Sequence, residues 1–204
     1  LGPAGLFAAL LLARSGFRPL VLERGPELDE RVKAVEHFEK TGELNLNANI
    51  QFGEGGAGTF SDGKLTTRVG DPLCAFVTDA FLQHGAPADI AWRQKPHVGT
   101  DLLRGIIRSI RQEIIALGGE VRFNTALTGL KIENGALASV ETTAGDFACE
   151  QLILAVGHSA RDTFAMLHRQ GMPLECKPFS VGFRAEHLQT EIDKSLYHAA
   201  AGHP

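Results

Sequence analysis

Leu1-Gly2-Pro3-Ala4-Gly5, running on through Leu6-Phe7-Ala8-Ala9-Leu10-Leu11-Leu12-Ala13-Arg14-Ser15-Gly16 to Arg18-Pro19-Leu20-Val21-Leu22-Glu23-Arg24-Gly25, is the stretch on which the fold turns. Pro3 suits the first turn of a helix, where its missing N–H costs nothing. The Ala/Leu run after it is apolar nearly all round, which predicts a buried helix over 3–15, and Gly16 is placed to stop it. Arg18 to Glu23 is a short apolar run closed by an acid and then Gly25-Pro26, the pattern of a buried parallel strand. The opening five residues fit the end of G-x-G-x-x-G, with the first glycine expected before residue 1. In that pattern Gly2 lets the backbone approach a pyrophosphate, Gly5 lets the helix pack close to the sheet, and the helix N-terminus offers free N–H groups to the phosphates. A truncated glycine pattern is weak alone. Glu23 strengthens it, because it ends the strand 18 residues after Gly5, where a dinucleotide fold places a carboxylate on the ribose hydroxyls.

Outward from this unit, residues 27–50 are polar and charged and predict helix and loop. A glycine-dense loop without periodicity follows over 53–63. Residues 72–92 are helical in part, within an insertion at about 66–98. Thr100 predicts an N-cap for a helix to about Leu117, with Leu103, Ile106, Ile107, Ile110, Ile114 and Ile115 at helical spacing and Gly118-Gly119 as its stop. The period then switches to two. Strands are expected at 120–124, 127–133, 136–143 and 146–150, with Asn134-Gly135 as a tight hairpin turn. The run Leu152 to Val156 is wholly apolar and predicts a second buried parallel strand. Ser159 with Asp162 predicts a capping box, and Pro178 onward predicts a strand of another domain.

Composition bounds the function. The 204 residues are 44% hydrophobic and 22% charged, with a formal net charge of −4. That is enough apolar material for one full core, and there is no excess of clustered Lys and Arg to bind a nucleic acid. The apolar stretch Gly5–Leu12 is too short to span a membrane. Cys74, Cys149 and Cys176 form no CxxC pair, so they read as small buried hydrophobes in a reducing, cytoplasmic compartment.

Gly-Pro-Ala-Gly at 2–5 and Leu-Glu-Arg-Gly at 22–25, followed by a helix, a small meander and Leu152-Ile153-Leu154-Ala155-Val156-Gly157, resemble the FAD-binding half of the glutathione-reductase-like flavoproteins. Val156 stands where that family's signature has Thr. The run Gln51 to Leu65, the run Gly157-His158-Ser159-Ala160-Arg161-Asp162-Thr163 and the run Lys177 to Arg184 are similar to a group of bacterial NAD(P)/FAD-dependent dehydrogenases. The resemblance covers nearly the whole chain and is specific to a family, not to a substrate. It implies an α/β, Rossmann-like FAD-binding domain over 1–172, made of a parallel sheet with helices plus a three-stranded antiparallel meander, and the start of a substrate domain over 173–204, both within a longer protein. It implies FAD contacts at Gly2, Pro3, Ala4, Gly5, Glu23, Arg24, Gly55, Gly56, Gly58, Thr59, Asp62, Gly63, Lys64, Leu127, Ala155 and Gly157. The implied activity is hydride or electron transfer through the flavin, with NAD(P)H or a small organic molecule as partner.

Gly58 to Lys64 also matches the first seven positions of a phosphate-binding P-loop. Leu65 stands where Ser or Thr must ligate magnesium, and no apolar strand precedes the loop, so a nucleotide triphosphatase is rejected. The loop instead suits backbone N–H contacts to the flavin phosphates or ring. Lys64 would put positive charge at the flavin N1–C2=O edge, or sit solvated on the rim. His158 and His97 read first as structural residues and second as acid–base groups. Lys177, Arg184 and His187 read equally as a substrate face or a solvated edge. No catalytic residue is singled out. The cysteine spacing excludes a disulfide reductase, and no metal-ligand spacing occurs. Three rival functions stay open: a non-catalytic scaffold on this fold, a flavin-dependent RNA-modifying enzyme (disfavoured by the charge balance), and a plain NAD-binding domain (disfavoured by the meander).

Overall fold

A computed structural model describes residues 1–61, 65, 67, 69–93, 97–183 and 185–202. Contacts divide the chain into two units, Leu1–Met172 and Pro173–Pro204.

In the first unit, helix α1 (Pro3–Arg14) leads to strand β1 (Leu20–Leu22) and helix α2 (Leu28–Thr41). A 3-10 turn (Ala57–Phe60), helix α3 (Cys74–Gln83) and a second 3-10 turn (Ala88–Ala91) follow. Helix α4 (Thr100–Ala116) then precedes strand β2 (Glu120–Arg122), which pairs in parallel with β1, Val21 opposite Val121. Strands β3 (Leu127–Glu133), β4 (Ala136–Thr142) and β5 (Gly145–Ala148) form an antiparallel meander in that order, and helix α5 (Arg161–Arg169) completes the unit. The first hairpin turns at Asn134 and Gly135, both at positive φ (52° and 80°), as the two-residue turn requires. Gln170 docks on β3 like a strand edge, its amide accepting from the Leu130 N–H and donating to the Leu130 carbonyl, each at 3.0 Å.

The core lies between α1, α3 and α4. Leu6, Ala9, Leu10 and Ala13 from α1 meet Leu103, Ile106, Ile107, Ile110 and Ile114 from α4, with Ala80 and Phe81 from α3. These α4 positions recur every three to four residues, so one face of the helix is apolar and buried. Phe7 packs edge-on against Phe81, ring centroids 5.4 Å apart.

Several expectations are corrected. The apolar run at 152–156 forms no strand: Ile153 is 61% exposed and the backbone joins no ladder. A parallel strand needs a strand edge beside it. This segment instead meets a helix, since a Cβ built on Gly5 would lie 3.6 Å from the Ala155 Cβ. Helix α1 is buried on one side only, with Leu11 exposed, because α3 and α4 cover just one face. Strand β1 is likewise half-covered, Leu20 being exposed. Thr100 is not the N-cap of α4. Gly99 takes the extended cap geometry, and its carbonyl accepts from the Leu103 N–H at 2.9 Å. The capping box at α5 is absent because the Asp162 carboxylate is drawn to Arg24 and to the Thr163 N–H, leaving Ala160 at the cap. Cys176 is exposed and Cys74 and Cys149 are half-buried, so the thiols are not core residues, though all three are free.

In the second unit the described residues contain no strand. Phe179, Val181 and Phe183 are strongly exposed, and an isolated extended segment has no ladder to join. Helix α6 (Gln189–Tyr197) and a short 3-10 turn (His198–Ala200) are its regular elements. Among the described residues no helix is long and apolar enough to cross a membrane.

Candidate functional site

The first turn of α1 is the centre of the site. Gly2 stands at the N-cap in extended geometry, Pro3 opens the helix, and no side chain caps it. Helix geometry leaves the first N–H groups without intrahelical acceptors, and no acidic side chain in the first turn neutralises them. Pro3 and Ala4 are exposed while Leu6, Ala9 and Leu10 below them are buried. A Cβ built on Gly2 would meet no atom within 4 Å, so the space in front of the helix is open.

Strand β1 carries Glu23 to the edge of this space. It is 6% exposed, and Oε1 accepts from the Gly25 N–H at 2.9 Å. A carboxylate has about four acceptor positions, so it retains capacity for a further donor. The Thr125 N–H donates to the Glu23 carbonyl and the Asn124 N–H to the Gly25 carbonyl, both at 2.9 Å. These bonds fix the chain two residues before Leu127, where β3 begins. Arg24 is ion-paired with Asp162 of α5, and hydrogen bonding from Arg24 holds the Asp162 carboxyl below the usual aspartate range.

The loop at 53–60 folds back onto α1. The Gly55 N–H donates to the Leu1 carbonyl at 2.9 Å. Gly56 sits so close to Pro3 that a Cβ on it would lie 2.7 Å from Pro3 Cδ. Gly53, Gly55 and Gly56 all have positive φ (112°, 81° and 69°), a conformation that closes the loop and excludes larger residues. Thr59, predicted as a cofactor contact, is fully buried, and its hydroxyl faces the Glu54 carbonyl at 3.4 Å; it shapes the loop from within. Gly58 is half-exposed. Asp62, Gly63 and Lys64, also predicted contacts, lie outside the described residues, as does Arg184. Gly157 is exposed at φ 72°, and Ala155 faces Gly5.

The strongest organiser of the loop is a residue the sequence did not flag. Arg31 of α2 is fully buried, and its guanidinium donates to four backbone carbonyls: Asn49 (3.0 Å), Ile50 (3.1 Å), Glu54 (2.6 Å) and Gly56 (2.9 Å). Burial pushes its pKa down to about 10, opposed by the nearby Glu23 and Glu54 carboxylates. Glu54, also fully buried, accepts from the Leu28 N–H at 2.7 Å and lies 2.8 Å from Arg111 Nε as an ion pair. Burial raises its pKa, against the pull of Arg111. A signal for Arg31 existed: it shares the buried face of α2 with Leu28 and Val35, where an apolar residue belongs.

The structure thus brings together Gly2 to Gly5, Glu23 to Gly25, the 53–59 loop and Ala155. Open N–H donors at a helix N-terminus, a bare glycine in front of them and a strand-end carboxylate beside them fit the diphosphate and ribose of a dinucleotide. Among the described residues no cluster of three metal-ligating side chains occurs.

No family model matches the sequence. An uncharacterized protein of Clostridium beijerinckii (strain ATCC 51743 / NCIMB 8052) is 51% identical over 203 residues. That match spans all of this chain and 38% of the relative, so the chain is about two-fifths of the relative's length. Among solved structures, THI4 of Thermovibrio ammonificans has a TM-score of 0.52 at 15% identity, over 84% of this chain and 60% of that one. Glycine oxidase of Bacillus cereus ATCC 14579 has a TM-score of 0.48 at 13% identity, over 84% and 58%. The chain is similar in fold to THI4: a mixed α/β unit with a parallel pair and an antiparallel three-stranded meander.

Proposed function

We propose that this chain is the FAD-binding part of a flavin-dependent oxidoreductase. The observation that carries the proposal is the uncapped, solvent-open first turn of α1, with the Arg31-braced glycine loop packed on Pro3 and the buried Glu23 at the end of β1. The helix end would bind the diphosphate through backbone N–H groups, and Glu23 would accept the ribose hydroxyl protons. The motif resemblance to glutathione-reductase-like flavoproteins supports FAD over NAD at this position. When bound, FAD supplies the redox chemistry, accepting and releasing an electron pair as hydride or as single electrons. The chain's own residues bind and orient it: Arg31 and Glu54 fix the loop, Gly2 and Gly56 keep side chains out of the cofactor's path, and Leu127 and Gly157 are further proposed contacts. NAD(P)H or a small organic molecule is the proposed redox partner, and residues 173–204 are the proposed start of the domain that receives it.

The test is the visible absorption spectrum of the purified full-length protein and of its Glu23→Ala variant. The expected result is flavin absorption in the wild type that is weaker or lost in E23A. A colourless wild type that also fails to take up added FAD would overturn the proposal in favour of a scaffold without redox chemistry.

A further inference from the structure

Arg104 projects from α4 beside the glycine loop. Its guanidinium lies over the Phe60 ring, 5.3 Å from the centroid, and Arg31 lies over the same ring at 4.8 Å. The two arginines differ in one respect. Arg31 spends its donors on four backbone carbonyls, whereas Arg104 Nε is shielded from solvent and has no hydrogen-bond partner. Nor is Arg104 ion-paired among the described residues. Of the carboxylates on and around α4, Glu54 and Glu27 pair with Arg111, Asp29 with Arg108 and Glu113 with Arg14, and the exposed Asp101 makes no ion pair with Arg104.

A shielded guanidinium N–H without an acceptor is costly, and a charge-assisted hydrogen bond to an anion would relieve that cost. The position indicates which anion. Phe60 ends the 3-10 turn that begins beside Gly56, and Gly56 packs on Pro3 at the open end of α1. Arg14 in the last turn of α1 pairs with Glu113 near the end of α4, so the two packed helices run the same way and Arg104, early in α4, lies toward the same end as the free N–H groups of α1. Resting on the FAD assignment above, we propose that Arg104 is a diphosphate-binding residue, seated on Phe60 and donating to the phosphate oxygens of the dinucleotide that the helix end holds from the other side.

The experiment is a fluorescence titration of FAD into apoprotein prepared from the full-length wild type and its Arg104→Gln and Arg104→Lys variants. The apo melting temperature of each is measured in parallel. Losing hydrogen bonds from a charged donor is expected to weaken FAD binding in R104Q by about ten- to a hundredfold with the apo melting temperature not lowered. R104K, which keeps the charge on an aliphatic stem, is expected to recover part of the affinity. If R104Q binds FAD as tightly as the wild type, the Arg104 assignment is overturned while the FAD assignment stands. If affinity simply follows the apo melting temperature across the three proteins, the residue is structural and the assignment is again overturned. A wild type that takes up no FAD overturns both.

Discussion

Gly56→Ala is the change that tests the geometry of the loop most sharply. Gly56 sits at φ 69° and ψ −164°, a region that residues with a Cβ do not ordinarily enter, and forcing one there costs about 1–3 kcal/mol. The added methyl would also lie 2.7 Å from Pro3 Cδ. That atom belongs to a ring at the first helical position, so it cannot swing aside as a flexible side-chain end would; such overpacking costs about 1–3 kcal/mol more. Together these give a loss of about 2–6 kcal/mol, a large fraction of the total of about 5–15 kcal/mol expected for a folded domain. With a urea m-value of about 1–3 kcal/mol/M, a loss of about 3 kcal/mol moves the unfolding midpoint down by about 1–3 M. The matched control is Gly105→Ala. Gly105 is an exposed position within α4 where a Cβ meets nothing within 4 Å, so this change is expected to stabilise by about 0.5–1 kcal/mol. Urea unfolding followed by circular dichroism on the full-length wild type and both variants reads the result. Because the strain is relieved by pushing Pro3 away, G56A is also expected to weaken FAD uptake. A G56A midpoint within about 0.2 M of wild type would refute the loop geometry, since neither penalty could then operate.

Two further outcomes follow from the buried charges. Arg31→Met strips the donor from the carbonyls of Asn49, Ile50, Glu54 and Gly56 and removes a cation near the buried Glu54. A loss of about 3–5 kcal/mol is expected by urea unfolding, and a loss below about 1 kcal/mol would contradict the bracing role. Glu113 gives a pH signature: hydrogen bonding from Arg14, with a smaller share from His84, holds its carboxyl below the usual glutamate range. A folded pKa below the unfolded one stabilises the protein above the unfolded value, about 4.3, and that stability is lost as pH falls through the lower folded value. Melting temperature is therefore expected to drop more steeply below about pH 5 in the wild type than in Glu113→Gln, and parallel curves would disprove the linkage.

The parts of the molecule that were legible from sequence are those whose cause is local. Apolar spacing from Leu103 to Ile114 predicts the buried face of α4, and Asn134-Gly135 predicts the first hairpin because its two residues accept positive φ. The parts that were not legible depend on partners remote in sequence. The run at 152–156 has the composition of a buried strand, yet a strand exists only beside another strand, and Ala155 faces Gly5 of a helix instead. Asp162 has the spacing of a capping residue, but Arg24, distant along the chain, claims its carboxylate. Composition cannot register that competition, because the same side chain serves either role equally well.

The candidate site divides along the same line, and the division bears on how the loop works. The glycines at 53, 55 and 56 are legible because only glycine readily takes their backbone angles, but glycines alone give a loop freedom, not shape. Shape comes from Arg31, placed on the apolar face of α2 between Leu28 and Val35. An arginine there would be severely destabilising unless its donors were met, and four loop carbonyls meet them. The exchange is mutual: without the arginine, the buried Glu54 and Gly56 carbonyls would keep only the long 3.4 Å contacts from Thr59. Loop and arginine therefore stabilise each other, and neither conformation is sensible alone. This reciprocity keeps a glycine-rich segment fixed against Pro3, so that the N–H groups of α1 stay open toward a ligand instead of being covered by the loop beside them.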